Sequence, residues 1–150
     1  MRALVQRVSE GSVSVDGETI GEISKGLVIL LGIKPDDSEK DIDHLANKCV
    51  NLRVFPDDAG DMNRSLLDVN GGALIISQFT LYGNTEKGRR PSFIGAARPE
   101  IAESLYEKFV SKVREAGVEV ETGRFGAMMR VNIQNDGPVT LMIESKLVAA

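Results

Sequence analysis

Residues 27–33 form a continuous apolar run, Leu27, Val28, Ile29, Leu30, Leu31, Gly32 and Ile33, closed by Pro35. The run is far short of the ~20 apolar residues needed to cross a membrane, and it lacks the polar side of a surface helix. It reads as a strand buried on both faces. A second run from Gly72 to Leu81 reads the same way. Strands of this kind need cover on each side, and the rest of the chain offers it.

Two helical stripes stand out. Ser38 and Asp41 resemble a capping box, with Asp in place of the usual Glu or Gln. Beyond them Ile42, Leu45, Ala46, Cys49 and Leu52 fall on one helix face. Pro99 suits a first helical position; Ile101, Leu105, Phe109, Val113 and Ala116 follow as the second stripe, and Gly117 is a natural stop. The remaining segments carry strand periodicity. Ala3, Val5 and Val8 open the chain, and Val13 and Val15 alternate with polar residues up to an Asp16-Gly17 hairpin turn into Thr19 and Ile20. Val118, Val120 and Thr122, then residues 128–133 and 139–143, give further strands, the last two joined through Asn135, Asp136, Gly137 and Pro138. Residues 55–61 and 84–98 are polar, turn-rich loops. These elements predict one α+β domain over residues 1–150, a curled and mostly antiparallel sheet or barrel of about seven or eight strands with two helices.

Composition excludes several kinds of chemistry. The single cysteine, Cys49, allows no internal disulfide and lies on an apolar stripe, where it reads as a core residue rather than a nucleophile. The single histidine, His44, sits about 200° around the helix from Ile42 and should face solvent. A Ser-His or Cys-His catalytic pair, and a zinc site of the usual nitrogen and sulfur type, are therefore not expected. Asp57, Asp58 and Asp61 do not have calcium-loop spacing, because Ala59 and Asp68 stand at the third and twelfth positions. Gly123 to Gly126 lacks the spacing and lysine of a phosphate loop. No metal or cofactor is expected. The N-terminal residues carry no apolar signal segment, which with the lone cysteine points to a cytoplasmic protein. A net charge of −4 argues against a general nucleic-acid binder, and no DNA or membrane partner is expected. Residues 84–98 nevertheless hold Lys87, Arg89, Arg90 and Arg98 against Glu86, four cations to one acid and a local excess of +3, with Phe93 nearby for stacking. Any hydrolysis here must use backbone N–H donors, hydroxyls, amides and groups of the substrate itself.

Ser77, Gln78 and Thr80 close the second buried run with polar side chains. That pattern fits a strand leaving the core and also a site at a strand end. Gly137-Pro138 by itself reads as a turn, and Arg7 by itself as a strand-edge arginine.

Ser77-Gln78-Phe79-Thr80-Leu81 together with Asn135-Asp136-Gly137-Pro138-Val139-Thr140 resembles the paired signature of the D-aminoacyl-tRNA deacylases, also called D-tyrosyl-tRNA deacylases. The similarity extends to Val5-Gln6-Arg7-Val8, Met62-Asn63-Arg64-Ser65-Leu66, Lys87-Gly88-Arg89-Arg90-Pro91-Ser92-Phe93 and Phe125-Gly126-Ala127-Met128-Met129. The resemblance implies hydrolysis of the ester of D-aminoacyl-tRNA, with glycyl-tRNA as a second substrate. It implies a homodimer with active sites at the interface. Ser77, Gln78, Phe79 and Thr80 would form the catalytic pocket; Gly137 and Pro138 of the other subunit, joined by a cis bond and braced by Arg7, would reject L side chains. Met129, Lys87, Arg89, Arg90 and Phe93 would be pocket or tRNA-contact residues. Thr80 is left open between a nucleophile and a partner of an RNA 2′-hydroxyl mechanism. A non-catalytic tRNA-binding dimer and a Thr80-dependent small-molecule esterase are the competing expectations.

Overall fold

The computed structural model describes residues 1–146. Strand β1 (Arg2–Val15) turns at Asp16 and Gly17, both at positive φ, into β2 (Glu18–Ile23). The buried run follows as β3 (Gly26–Gly32). Helix α1 (Glu39–Asn51) starts at Ser38, whose N–H donates to Asp41 Oδ2 at 2.8 Å, so aspartate does serve as the capping-box acceptor. Its buried side includes Ile42, Leu45, Ala46 and Cys49, while His44 is exposed, as its place on the helix predicts.

Part of the expected loop at 55–61 is ordered as a small hairpin, β4 (Phe55–Pro56) against β5 (Met62–Arg64). The second run departs from its expected form. Strand β6 (Gly72–Ser77) ends at Ser77, and the chain turns into a 3₁₀ helix at Phe79–Tyr82. Gln78 N–H still reaches the Leu31 carbonyl at 2.8 Å, but the Gln78 carbonyl then accepts from Leu81 N–H at 3.2 Å, and the strand cannot continue. Helix α2 (Pro99–Glu115) begins with proline as expected. Its buried side is Ala102, Leu105, Tyr106, Phe109, Val110 and Val113, whereas Ile101, at 42% exposure, and Ala116 lie off it.

Strand β7 (Glu119–Thr122) precedes the largest departure. The two C-terminal strands are one, β8 (Arg130–Glu144), and Met128 lies outside it, 91% exposed. Gln6 pairs Thr140 and Val8 pairs Asn135, so one residue of β1 faces a four-residue excursion at 136–139.

The main sheet runs β2-β1-β3-β6-β7, with β8 along β1. The pairs of β1 with β2, β3 and β8 are antiparallel, and those of β6 with β3 and β7 are parallel. The sheet curls until β2 approaches β7: a Cβ on Gly21 would lie 2.9 Å from the Thr122 carbonyl oxygen. One face packs against both helices through Val5, Ile29, Ile75, Leu45 and Phe109. The concave face encloses Val8, Val13, Val28, Leu74 and Ile76. Close backbone approach between β3 and β6 requires glycine, since a Cβ on Gly26 would overlap the Gly72 carbonyl.

Phe109 is fully buried between α2 and this sheet. Phe109→Ala is expected to lower the unfolding free energy by about 3–5 kcal/mol, through lost transfer energy and the cavity left behind. Urea unfolding should show this as a lower midpoint at unchanged slope.

Candidate active site

The polar end of β6 is placed by main-chain pairing. Leu31 pairs Ser77, which fixes the last strand residue, and the Gln78–Leu31 bond fixes the next. The following 3₁₀ turn then leaves two donors over. Leu81 N–H bonds the Gln78 carbonyl and Gly83 N–H bonds the Thr80 carbonyl, but Phe79 and Thr80 N–H, the first of the turn, have no acceptor among the described residues. Phe79 and Thr80 are exposed and Ser77 and Gln78 half-buried, so these donors open onto the surface. Two adjacent unpaired N–H groups on an anchored turn suit an oxygen that gains negative charge.

The Gln78 side-chain amide donates to Thr80 Oγ1. An amide takes no proton at neutral pH, so Thr80 has no general base in this contact. Cys49 offers no alternative nucleophile: it is fully buried, and burial pushes its thiol up to about 12. His44 sits on the exposed side of α1.

The basic loop is held against this turn. Asn84 and Ser92 exchange backbone hydrogen bonds of 2.7 and 2.9 Å, closing residues 85–91 into an excursion that carries Lys87, Arg89 and Arg90, all exposed. Just beyond the bridge, Phe93 meets Phe79 edge-on, ring centroids 5.1 Å apart at 73°. Thus Phe93 is brought to the Phe79–Thr80 turn, and the three cations lie on the exposed excursion next to it in the chain.

The second segment is built as tightly. The Gly137–Pro138 peptide bond is cis, with Gly137 at φ +148°. Asn135 closes the excursion with its side chain: Oδ1 accepts from Val139 N–H at 2.8 Å, and Nδ2 donates to the Val139 carbonyl at 3.1 Å. Arg7 Nε donates to the Asp136 carbonyl at 2.8 Å, and its Nη1 donates to the Val54 carbonyl at 2.7 Å. Arg7 therefore ties the excursion to the chain entering the small hairpin. Gly137 and Pro138 are exposed.

The two segments do not meet within one chain. The excursion sits beside Arg7 and Val8 in the middle of β1, whereas the 3₁₀ turn sits past Gly32, which pairs Arg2, the first residue of β1. At ~3.3 Å per residue along a strand and ~4.8 Å between strands, they are on the order of 15–20 Å apart. Met129 is also separate: it packs on the concave-face cluster, its sulfur 2.5 Å from where a Gly123 Cβ would lie. The clip by Asn135 was within reach of sequence reasoning, since asparagine beside Gly-Pro commonly bonds local backbone. The fastening of the 3₁₀ turn by Arg2, which donates to the Leu81 carbonyl at 2.9 Å, had no sequence signal, because the partners are 79 residues apart.

A family model described as D-Tyr-tRNA(Tyr) deacylase matches residues 4–144. A D-aminoacyl-tRNA deacylase of Fervidobacterium nodosum is 61% identical over 148 residues, 99% of each chain. The chain belongs to the D-aminoacyl-tRNA deacylase family. Among solved structures, that of a c-Myc DNA unwinding element binding protein is 42% identical, with a TM-score of 0.92 over 98% of this chain and 100% of that one. The structure of a probable eukaryotic D-amino acid tRNA deacylase has a TM-score of 0.85 at 19% identity, over 95% of this chain and 98% of that one, and so shares the fold. Membership agrees with the curled six-stranded sheet, the separate two-stranded hairpin and the two α-helices. No helix among the described residues is long and apolar enough to cross a membrane.

Proposed function

We propose that this chain hydrolyses the ester bond of D-aminoacyl-tRNA, releasing the free D-amino acid and the tRNA, at a site shared between two copies of the chain. Family membership supports the reaction. The observation that carries the site assignment is the pair of unpaired N–H groups at Phe79 and Thr80 on an exposed, anchored turn.

Water attacks the ester carbonyl carbon. As its oxygen bonds to that carbon, charge gathers on the carbonyl oxygen, which accepts from the Phe79 and Thr80 N–H groups. The bond to the ribose 3′-oxygen then breaks, and that oxygen takes up a proton. The neighbouring 2′-hydroxyl of the RNA helps to activate the water, the part a protein base would otherwise take. Thr80 acts here as a pocket residue, since the Gln78 amide bonded to it cannot remove its proton. Lys87, Arg89 and Arg90 hold the phosphates of the acceptor end, and Phe93 offers a ring to an unstacked base.

Discrimination is assigned to Gly137 and Pro138 of the second copy. Their separation from the 3₁₀ turn of the same chain is the reason for a dimer. The register also sets Leu4, Leu30 and Met142 side by side on the sheet face away from the helices, with Met142 46% exposed. A two-fold axis through that face brings the excursion of one copy onto the 3₁₀ turn of the other. The Gly137 and Pro138 carbonyls then contact the substrate's α-amino group and leave no room for an L side chain. Glycine carries no side chain, so glycyl-tRNA passes the same gate. This substrate places the work in the cytoplasm.

Matched D- and L-tyrosyl-tRNA and D-tyrosine methyl ester, each incubated with the protein in EDTA, test the reading. Rapid loss of the D-aminoacyl-tRNA alone is the expected result. Equal loss of D- and L-tyrosyl-tRNA would refute the gate. Binding of tRNA without ester loss would favour a non-catalytic RNA-binding dimer, and hydrolysis of the methyl ester would favour an esterase acting through Thr80.

A further inference from the structure

The donors at Phe79 and Thr80 sit on a turn with no interior of its own to fix it. None of residues 79–82 is buried, and one turn of 3₁₀ helix is short and weakly bonded. Its placement therefore depends on what grips it from outside.

Arg2 grips it at two points and is itself fixed to β8 at a third. Its backbone pairs Gly32 on one side and Glu144 on the other, so the side chain leaves the sheet where β3 ends and the 3₁₀ turn crosses. Nη1 donates to the Leu81 carbonyl at 2.9 Å, one of the carbonyls at the end of the turn that the turn itself cannot satisfy. Nη2 pairs with Glu144 Oε1 at 2.8 Å, which fixes the guanidinium against β8. The guanidinium carbon lies 4.4 Å from the centroid of the Tyr82 ring, the last residue of the turn. The Tyr82 hydroxyl is buried without a hydrogen-bond partner among the described residues, and its ring lies against the guanidinium. A Cβ on Gly32 would lie only 3.0 Å from Leu81 Cβ and 3.2 Å from the Tyr82 ring, so the turn is drawn tightly onto the strand end.

We infer that Arg2 is a positioning residue for hydrolysis, holding the Phe79 and Thr80 N–H groups at the point where the oxyanion forms by fastening the far end of their turn to β8. The inference rests on the function proposed above. Arg2 holds the end of the turn away from the free N–H groups and touches no reacting atom. Its influence is therefore on the rate of the chemical step, not on tRNA affinity or on the choice between D and L. A planar guanidinium reaches Leu81, Glu144 and the Tyr82 ring together; an ammonium, a single point charge, reaches one of them.

The test is single-turnover and steady-state hydrolysis of D-tyrosyl-tRNA by the full chain with Arg2→Met and Arg2→Lys. Both variants are expected to lower kcat roughly ten- to hundredfold, the range for displacing a catalytic group by about 1 Å, with KM and the D-to-L ratio unchanged. Arg2→Lys keeps the cation near Glu144 and should regain most of the thermal stability without regaining kcat. The amide resonances of Phe79 and Thr80 should shift in both variants. A kcat within twofold of the parent in either variant, or a loss that only tracks the fraction unfolded, overturns the inference. A parent protein inactive on D-tyrosyl-tRNA would instead overturn the proposed function.

Discussion

Replacing Gly137 with alanine is expected to lower hydrolysis of D-aminoacyl-tRNA by on the order of a hundredfold in a protein that remains folded. The cause is local. Gly137 holds φ at +148°, where a side chain is strained. An alanine Cβ would stand 2.8 Å from Val139 Cγ2 and 2.9 Å from Val139 N, the atom whose N–H donates to Asn135. It would also stand 3.1 Å from Arg7 Nη2. Neither the Asn135 clip nor the Arg7 brace keeps its place once the excursion shifts, and both together aim the Gly137 and Pro138 carbonyls. Asp136, Gly137 and Pro138 are exposed, and of the excursion only Val139 packs against a core cluster, so the loss of stability should stay near the ~1–3 kcal/mol of a strained backbone residue. Circular dichroism and thermal unfolding separate the two effects. Unchanged D-tyrosyl-tRNA hydrolysis by Gly137→Ala would remove Gly137 from the gate.

How much of this was legible in the sequence depends on how far each feature reaches along the chain. Helix α1 was readable because its signal is local: Ser38 and Asp41 are three residues apart, and Ile42, Leu45, Ala46 and Cys49 return at helical spacing. The stripe on α2 was misdrawn for a geometric reason. Ile101, Leu105, Phe109 and Val113 are spaced by four, and each such step advances about 40° too far around the helix. Over three steps the stripe drifts by about 120°, which leaves Ile101 on the surface and brings in Ala102, Tyr106 and Val110. Strand direction was not legible either. The apolar runs at 27–33 and 72–77 show burial on both faces, but nothing in a period of two says that β3 and β6 run parallel.

The site divides in the same way. Phe79, Thr80 and Leu81 suit a strand, and by pattern alone β6 should have continued through them. It is a contact with Arg2, 79 residues earlier, that holds the Leu81 carbonyl in the 3₁₀ turn. At the other segment the error ran the opposite way. Asp136, Gly137 and Pro138 look like the turn between two strands, yet Asn135 and Thr140 both pair with β1, at Val8 and Gln6, and only the residues between them leave the sheet. The family signatures single out both segments, while their local patterns misstated both conformations. A site built from irregular backbone is the place where propensity and structure should disagree.

The proposed division of the site between two copies predicts that the largest effect is a gain rather than a loss. A Gly137→Ala subunit keeps the 3₁₀ turn but lacks a working gate; a subunit with Thr80→Tyr keeps the gate but has its own pocket filled. Each protein alone is expected to be nearly inactive. Mixed under conditions that exchange subunits, they form mixed dimers as half of the population. In each of these the intact gate of one chain faces the intact turn of the other at one site of two. Recovery of about a quarter of the parent activity is therefore expected, from a simple count of isologous sites. The gate and the turn lie on the order of 15–20 Å apart in one chain, so a monomeric site could not be restored by mixing. No recovery, in dimers shown by mass spectrometry to have exchanged, would place gate and turn in separate functions. Recovery in which D- and L-tyrosyl-tRNA react equally would keep the dimer and remove chirality from the gate.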